Sequence, residues 1–115
     1  MSLSKSSNLF FFFFFIGLTA FSQKASDDFS GKWKTDEGGT IEISKKDGGF
    51  IGLGVTTKKM VVKDLQFKNG KWVSEIRNPL KDITANGEFI LEGNKLKIIA
   101  RKAFFSKTLY WIRLN

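Results

Sequence analysis

Short runs of β-branched and aromatic residues follow one another along most of this chain, and turn-forming residues separate them. Asp47-Gly48-Gly49, Asn69-Gly70 and Gly93-Asn94 place residues that accept positive φ angles where tight hairpins need them. No stretch has the periodicity of an amphipathic helix. Neighbouring runs are therefore expected to pair as antiparallel hairpins.

The runs predict eight strands, which are Gly31–Thr35, Thr40–Lys45, Phe50–Val55, Val61–Phe67, Lys71–Arg77, Ile83–Leu91, Lys95–Arg101 and Lys107–Leu114. The loops between them are too short for crossover helices, so the strands are expected to form a meander. We predict an all-β domain that closes as a small antiparallel up-and-down barrel. A sandwich of the same strands is the alternative closure.

Two-residue alternation assigns one face of each predicted strand to a core and the other face to water. Six residues are predicted to line the barrel interior and to contact any ligand held there: Leu53, Trp72, Ile76, Phe89, Ile98 and Trp111. Whether these side chains surround a void or meet as a filled core distinguishes a ligand-binding barrel from one with a solid interior.

The first 22 residues are typical of a cleavable signal peptide. The polar segment Ser2–Asn8 carries one cation, Lys5, and the almost wholly apolar segment Leu9–Leu18 follows it. That apolar segment is well short of the roughly 20 residues that a membrane-spanning helix needs. Small side chains at Ala20 and Ser22 suit the first and third positions before a signal-peptidase cut.

Cleavage after Ser22 would leave residues 23–115 as a single domain with no transmembrane segment, exported to the periplasm or the cell exterior. Loss of Lys5 would lower the formal net charge from +8 to +7, since 8 − 1 = 7. Such a charge favours anionic partners, either a protein or lipid headgroups of the envelope.

The chain contains no histidine and no cysteine. This inventory excludes disulfides and a lipid-bearing cysteine, and it argues against the common nucleophile–base catalytic sets and most zinc and copper sites. Two carboxylates alone can split acid and nucleophile roles. The pairs Asp27-Asp28 and Asp36-Glu37 are nevertheless interpreted as solvated loop charge. We predict a non-enzyme without a metal or other cofactor.

Basic doublets such as Lys45-Lys46 and Lys58-Lys59, together with the indole and phenol rings, also suggest a surface for single-stranded nucleic acid. Oligonucleotide-binding barrels have five strands, however, and lysines at strand ends also protect sheet edges from pairing with other chains. An export signal also argues against nucleic acid as a partner. Nucleic acid is therefore not the expected partner.

The two ends of the domain carry residues that would join the first strand to the last. Gly31-Lys32-Trp33 begins the first strand, and Arg113 lies near the end of the last. A guanidinium over an indole face gains a cation–π contact and can donate hydrogen bonds to nearby backbone. The pattern resembles the structural signature of lipocalin-like barrels. That resemblance implies a structural latch of Trp33 and Arg113 and an interior that holds one apolar ligand.

The order of motifs also resembles domain of unknown function family 2147, a family of exported bacterial proteins. The similarity covers nearly the whole mature domain and includes Gly31-Lys32-Trp33, Gly38-Gly39-Thr40-Ile41-Glu42-Ile43, Gly70-Lys71-Trp72, Ile76, Asn78-Pro79, Gly93-Asn94-Lys95-Leu96-Lys97 and Thr108-Leu109-Tyr110-Trp111-Ile112-Arg113. The resemblance implies a fold and an exported location, without an established activity.

The barrel, the resemblances and the excluded chemistry together favour a non-catalytic exported protein that binds a small apolar or amphipathic molecule within the barrel. The alternative is a basic surface module that binds an anionic envelope partner, a protein or a lipid headgroup.

Overall fold

The computed structural model of the protein describes residues 23–114, so the predicted signal peptide at residues 1–22 lies outside the described residues. Eight strands close into one barrel: β1 (Gly31–Lys34), β2 (Thr40–Lys46), β3 (Gly49–Gly54), β4 (Met60–Lys68), β5 (Lys71–Asn78), β6 (Ile83–Glu92), β7 (Lys95–Lys102) and β8 (Phe105–Leu114). The predicted all-β, up-and-down barrel is confirmed, and the sandwich alternative is not adopted. No helix in residues 23–114 has the length and apolar character needed to cross a membrane.

Every strand pairs antiparallel with its neighbour in sequence, and β1 pairs with β8 to close the barrel. Trp33 of β1 lies opposite Arg113 of β8 in this closing pair. The predicted turns form tight hairpins, with positive φ at Asp47 and Gly48 and again at Asn69 and Gly70. Local turn chemistry therefore sets the connections, and the ladder between first and last strands removes the open edges.

Aromatic side chains fill one end of the barrel, which we call the closed end. Phe29, which precedes β1, is fully buried among Phe50, Trp72 and Phe89. Its ring meets those of Phe50 and Trp72 edge to face, at centroid distances of 5.5 and 5.2 Å. Edge-to-face pairs match the positive edge of one ring with the negative face of another. The closed end is thus a packed core.

The residues before β1 cover this packed end through hydrogen bonds. The indole Nε1 of Trp72 donates to the carbonyl oxygen of Lys24 at 2.7 Å. The amide side chain of Gln23 accepts from the Trp72 backbone N–H and donates to the Glu88 carboxylate at 2.6 Å. These bonds give partners to polar groups at the barrel margin and hold the segment across it.

The turn between β7 and β8 differs from the others because alanine occupies its left-handed position. Ala103 has a φ of 54°, where L-residues with a Cβ are disfavoured. We expect Ala103→Gly to raise the free energy of unfolding by about 0.5–1 kcal/mol, since relief of the strain outweighs the extra unfolded-state entropy of glycine. Urea unfolding at unchanged m-value would measure the gain. A loss of stability would contradict the strain assigned to this turn.

Candidate functional site

An open cavity of about 460 Å³ occupies the end of the barrel opposite the aromatic core. Its mouth lies among the β1–β2, β3–β4, β5–β6 and β7–β8 loops. We call this end of the barrel the open end. Cavities of this size suit a ligand of a few tens of non-hydrogen atoms or fewer. The barrel interior is therefore part packed core and part void.

The inner wall of this cavity is mostly apolar. Ile41, Val61 and Ile76 line it from β2, β4 and β5, and Leu109 and Trp111 line it from β8. A wall of branched aliphatic side chains with one indole favours apolar matter over water, because water there would find few hydrogen-bond partners.

The void arises because inward-facing side chains shrink along the strands toward the open end. Along β3 the inward positions run from Phe50 through Gly52 to Gly54, and all three are buried. On β6 and β7, Ala85 and Ala100 line the cavity, whereas Phe89 and Ile98 are buried deeper in the core. The same taper repeated on three strands leaves unfilled space at one end only.

Gly52 has a second role, which is close contact between strands. A Cβ built at this position would lie 3.0 Å from the Cβ of Val62 and 3.3 Å from the Cγ2 of Ile41. The β3–β4 register also shifts on either side of Gly52. The glycine thus allows β3 to bend against β4, which is the close approach expected for strand glycines.

The six predicted interior residues fall into three groups. Ile76 and Trp111 line the cavity. Trp72, Phe89 and Ile98 are buried in the core cluster and are not part of the cavity wall. Leu53 belongs to neither group. The six residues therefore do not form the single ligand-contacting set that the sequence predicts.

The prediction that Leu53 lines the interior is wrong, because its side chain lies on the outer face of the barrel. It pairs with Glu42, whereas its neighbours Gly52 and Gly54 pair with the buried Ile43 and Ile41. Alternation along the strand then directs the half-buried Leu53 outward. The inward positions of β3 at this height are glycines, and they contribute space to the interior.

Trp33 and Arg113 form the contact that joins the first and last strands. The guanidinium carbon of Arg113 lies 4.3 Å from the ring centroid of the fully buried Trp33. Arg113 also donates hydrogen bonds to the carbonyl oxygens of Ser30 at 2.7 Å and of Asp28 at 3.3 Å. Trp33 Nε1 donates to the Phe29 carbonyl at 2.9 Å. We call this set the latch, and it lies away from the cavity.

Gly31 makes room for the latch. Its φ is 130°, and a Cβ built there would lie 3.0 Å from the Nη1 atom of Arg113. The latch therefore requires glycine at this position, since a larger residue would displace the guanidinium.

Hydrogen bonds from the Ser30 hydroxyl and amide to Asp28, near the latch, lower the pKa of that carboxyl group below its ordinary value.

Charges around the mouth of the cavity are unevenly distributed. Arg77 and Lys81 of the β5–β6 hairpin and Lys102 and Lys107 of the β7–β8 hairpin contribute to its lining. The acidic side chains Asp36 and Glu37 line the mouth from the β1–β2 loop. These two acids were predicted as loop charge, and they are exposed.

The most important residue that sequence reasoning missed is Phe29. It precedes the first strand, so strand alternation assigns it to neither face, yet it is fully buried at the centre of the aromatic cluster. Trp111 was predicted inside, but no pattern revealed that its Nε1 atom is buried without a hydrogen-bond partner among residues 23–114. The restriction of the cavity to one end of the barrel was the other omission, because only aligned strands reveal the taper that creates it.

The closed eight-stranded meander with one packed end and one open apolar cavity defines a lipocalin-like barrel, an architecture consistent with binding a small ligand. No protein-family model, curated protein or solved structure matches this chain.

Proposed function

We propose that this protein is a non-catalytic exported carrier that binds one small apolar or amphipathic molecule in the open half of its barrel. The observation that carries the proposal is the cavity of about 460 Å³ with its apolar inner wall. Burial of apolar ligand surface there would supply about 25 cal/mol per Å² before the costs of association.

The cavity wall also supports a polar end on the ligand. Its deep portion is lined by Ile41, Ile76 and Trp111, whereas charged side chains such as Lys102 and Lys107 lie at the mouth. A molecule with an apolar body and a polar head would bury the first against the wall and keep the second near water. An amphipathic ligand therefore fits better than a purely polar one.

The sequence supports three further parts of this proposal, which are export, family membership and a binding role. The signal-peptide pattern of residues 1–22 supports export to the periplasm or the cell exterior. The motif order supports membership of domain of unknown function family 2147. The lack of histidine and cysteine throughout the chain supports a binding role over catalysis by the common triads and dyads.

The test is native mass spectrometry of the protein purified from its own cell envelope, followed by solvent extraction. A stoichiometric adduct that extracts into organic solvent would support the proposal and identify the ligand class. The proposal would fail if the protein remained free of adduct and also bound no member of an added panel of fatty acids, phospholipids and isoprenoids.

A matched pair of substitutions on β7 tests whether binding uses this cavity. Ala100 lines the cavity, whereas its neighbour Ile99 points to the other face. We expect Ala100→Phe to weaken binding of the amphipathic anionic dye 1-anilinonaphthalene-8-sulfonate by at least about tenfold, because the ring fills space in the void. Ile99→Phe should change the affinity by less than about twofold. Fluorescence titration measures both, and equal effects would place the dye elsewhere.

A further inference from the structure

Large apolar side chains are strongly exposed at the tips of two hairpins of the open end. Phe104 and Phe105 at the β7–β8 turn are 102% and 79% exposed, and Leu80 at the β5–β6 turn is 82% exposed. Within residues 23–114, the remaining exposed large hydrophobics are 38% to 44% exposed. Single exposed apolar residues are ordinary, but a cluster of fully exposed rings and leucine marks an interaction surface.

The turns of the closed end have a different composition. Asp47-Gly48, Asn69-Gly70 and Gly93-Asn94 are small or polar residues, the usual choice where a turn faces water. The β7–β8 turn of Ala103 and Phe104 contains neither a glycine nor a polar side chain, and the φ angle of Ala103 is positive. Local backbone chemistry therefore does not account for Phe104, which points to a role outside the folded barrel.

Cations surround these apolar tips. Arg77, Lys81, Lys102 and Lys107 lie on the same two hairpins, and none of them forms an ion pair with another residue in the range 23–114. Asp82 is the acidic residue between β5 and β6. The two hairpins thus carry positive charge on balance, with apolar side chains projecting at their ends.

We propose that the tips of the β5–β6 and β7–β8 hairpins dock this barrel onto an anionic lipid bilayer. Leu80, Phe104 and Phe105 enter the boundary between headgroups and acyl chains, and the surrounding lysines and arginine contact lipid phosphates. The acidic pair Asp36-Glu37, on the β1–β2 loop, tilts the barrel so that the basic hairpins approach first.

A bilayer fits this surface better than a folded protein partner does. Leu80 and Phe105 border the cavity mouth, and together with Phe104 they project from hairpin tips. Recognition of a folded protein instead needs complementary packing around buried anchors. Protruding rings with interspersed cations match the amphipathic profile of a bilayer interface, apolar below and anionic above. This inference goes beyond ligand binding in the cavity and does not depend on it.

Flotation with lipid vesicles tests the docking surface. We expect the protein to partition at least about tenfold more strongly onto vesicles of equal phosphatidylglycerol and phosphatidylcholine than onto phosphatidylcholine alone. Phe104→Ser with Phe105→Ser should lower partitioning onto the anionic vesicles by at least about tenfold. Added salt at about 0.5 M should also reduce binding strongly.

A pair of charge reversals at opposite ends of the barrel provides the matched control. Lys102→Glu with Lys107→Glu should abolish the preference for anionic vesicles, whereas Lys45→Glu with Lys46→Glu, at the β2–β3 turn of the closed end, should preserve most of it. Each double variant changes the net charge equally. Every variant has the same N-terminal processing, so any contribution of residues 1–22 is equal in all of them. Equal losses in both double variants would overturn the proposal.

Depth-resolved quenching gives an independent measurement. In Phe104→Trp the new indole should be quenched by brominated lipids in anionic vesicles, and its emission should shift to shorter wavelength. Tyr110→Trp, on the β8 wall, is the control and should remain unquenched. Both sites are exposed, so folding is expected to be unaffected. Absence of quenching at position 104 would show that the tip does not enter the bilayer.

Discussion

Replacement of Phe89 by alanine is expected to lower the free energy of unfolding by about 3–5 kcal/mol. Phe89 is fully buried and packs edge to face against Phe29 and Trp111, each at a centroid distance of 6.5 Å. Gly87 leaves space beneath its ring, since a Cβ there would lie 3.1 Å from Phe89 Cε1. The rings around the vacated volume are themselves packed, so the site has little means to collapse.

Such a loss is a large part of the stability of a small domain, which is commonly about 5–15 kcal/mol. Guanidinium-induced unfolding, followed by tryptophan emission, measures it. Phe104→Ala removes the same atoms from a fully exposed site and should change stability by less than about 0.5 kcal/mol. If Phe89→Ala does not fold, Phe89→Leu provides a milder substitution. A cost below about 1 kcal/mol for Phe89→Ala would contradict a packed closed end.

The strands and hairpins were predictable because their determinants are local. Alternation and β-branched content mark each strand, and the Asp-Gly and Asn-Gly pairs fix where two of the hairpins reverse. All eight strands lie within two residues of their predicted bounds. The number of strands and the short loops favoured a barrel but left a sandwich open, and the β1–β8 ladder decides between them.

The error at Leu53 has a physical cause. The phase of a strand is usually read from which alternate positions are apolar. In β3 the inward positions after Phe50 are Gly52 and Gly54, so the apolar side chains that remain, Ile51 and Leu53, belong to the outer face. Glycines carry no side chain to mark the interior, and the wrong phase was read.

The division between core and cavity could not be predicted from single strands. Sequence shows that Phe89 and Ala85 share a face, but the height of each residue in the barrel depends on its register with β5 and β7. Once the strands are aligned, Ala85, Ala100 and Gly54 lie toward the mouth and the aromatic cluster around Phe89 lies at the other end. The latch differs, because the resemblance to lipocalin-like barrels had already implied the pairing of its Trp and Arg.

Loss of the latch arginine is the second large effect expected. Arg113→Ala should lower the free energy of unfolding by about 2–4 kcal/mol, because two charged hydrogen bonds and one cation–π contact vanish together. The carbonyl oxygen of Ser30, which accepts at 2.7 Å, then loses that partner, and β8 loses its attachment to the segment before β1. Arg113→Lys should restore less than half, since a single ammonium group cannot reproduce a planar, forked donor over the Trp33 ring.

The control for this experiment is Arg101→Ala. Arg101 is exposed and lies 3.8 Å from the mostly buried Glu88 carboxylate, which keeps Gln23 and Lys71 as partners, so Arg101→Ala should cost less than about 1 kcal/mol. Thermal and urea unfolding of both variants would separate lost positive charge from lost latch geometry. Combination of Arg113→Ala with Trp33→Phe should then cost less than the sum of the single changes, because the two residues share one contact. Strict additivity, or equal losses at positions 101 and 113, would show that closure of the barrel rests on the β1–β8 backbone ladder alone.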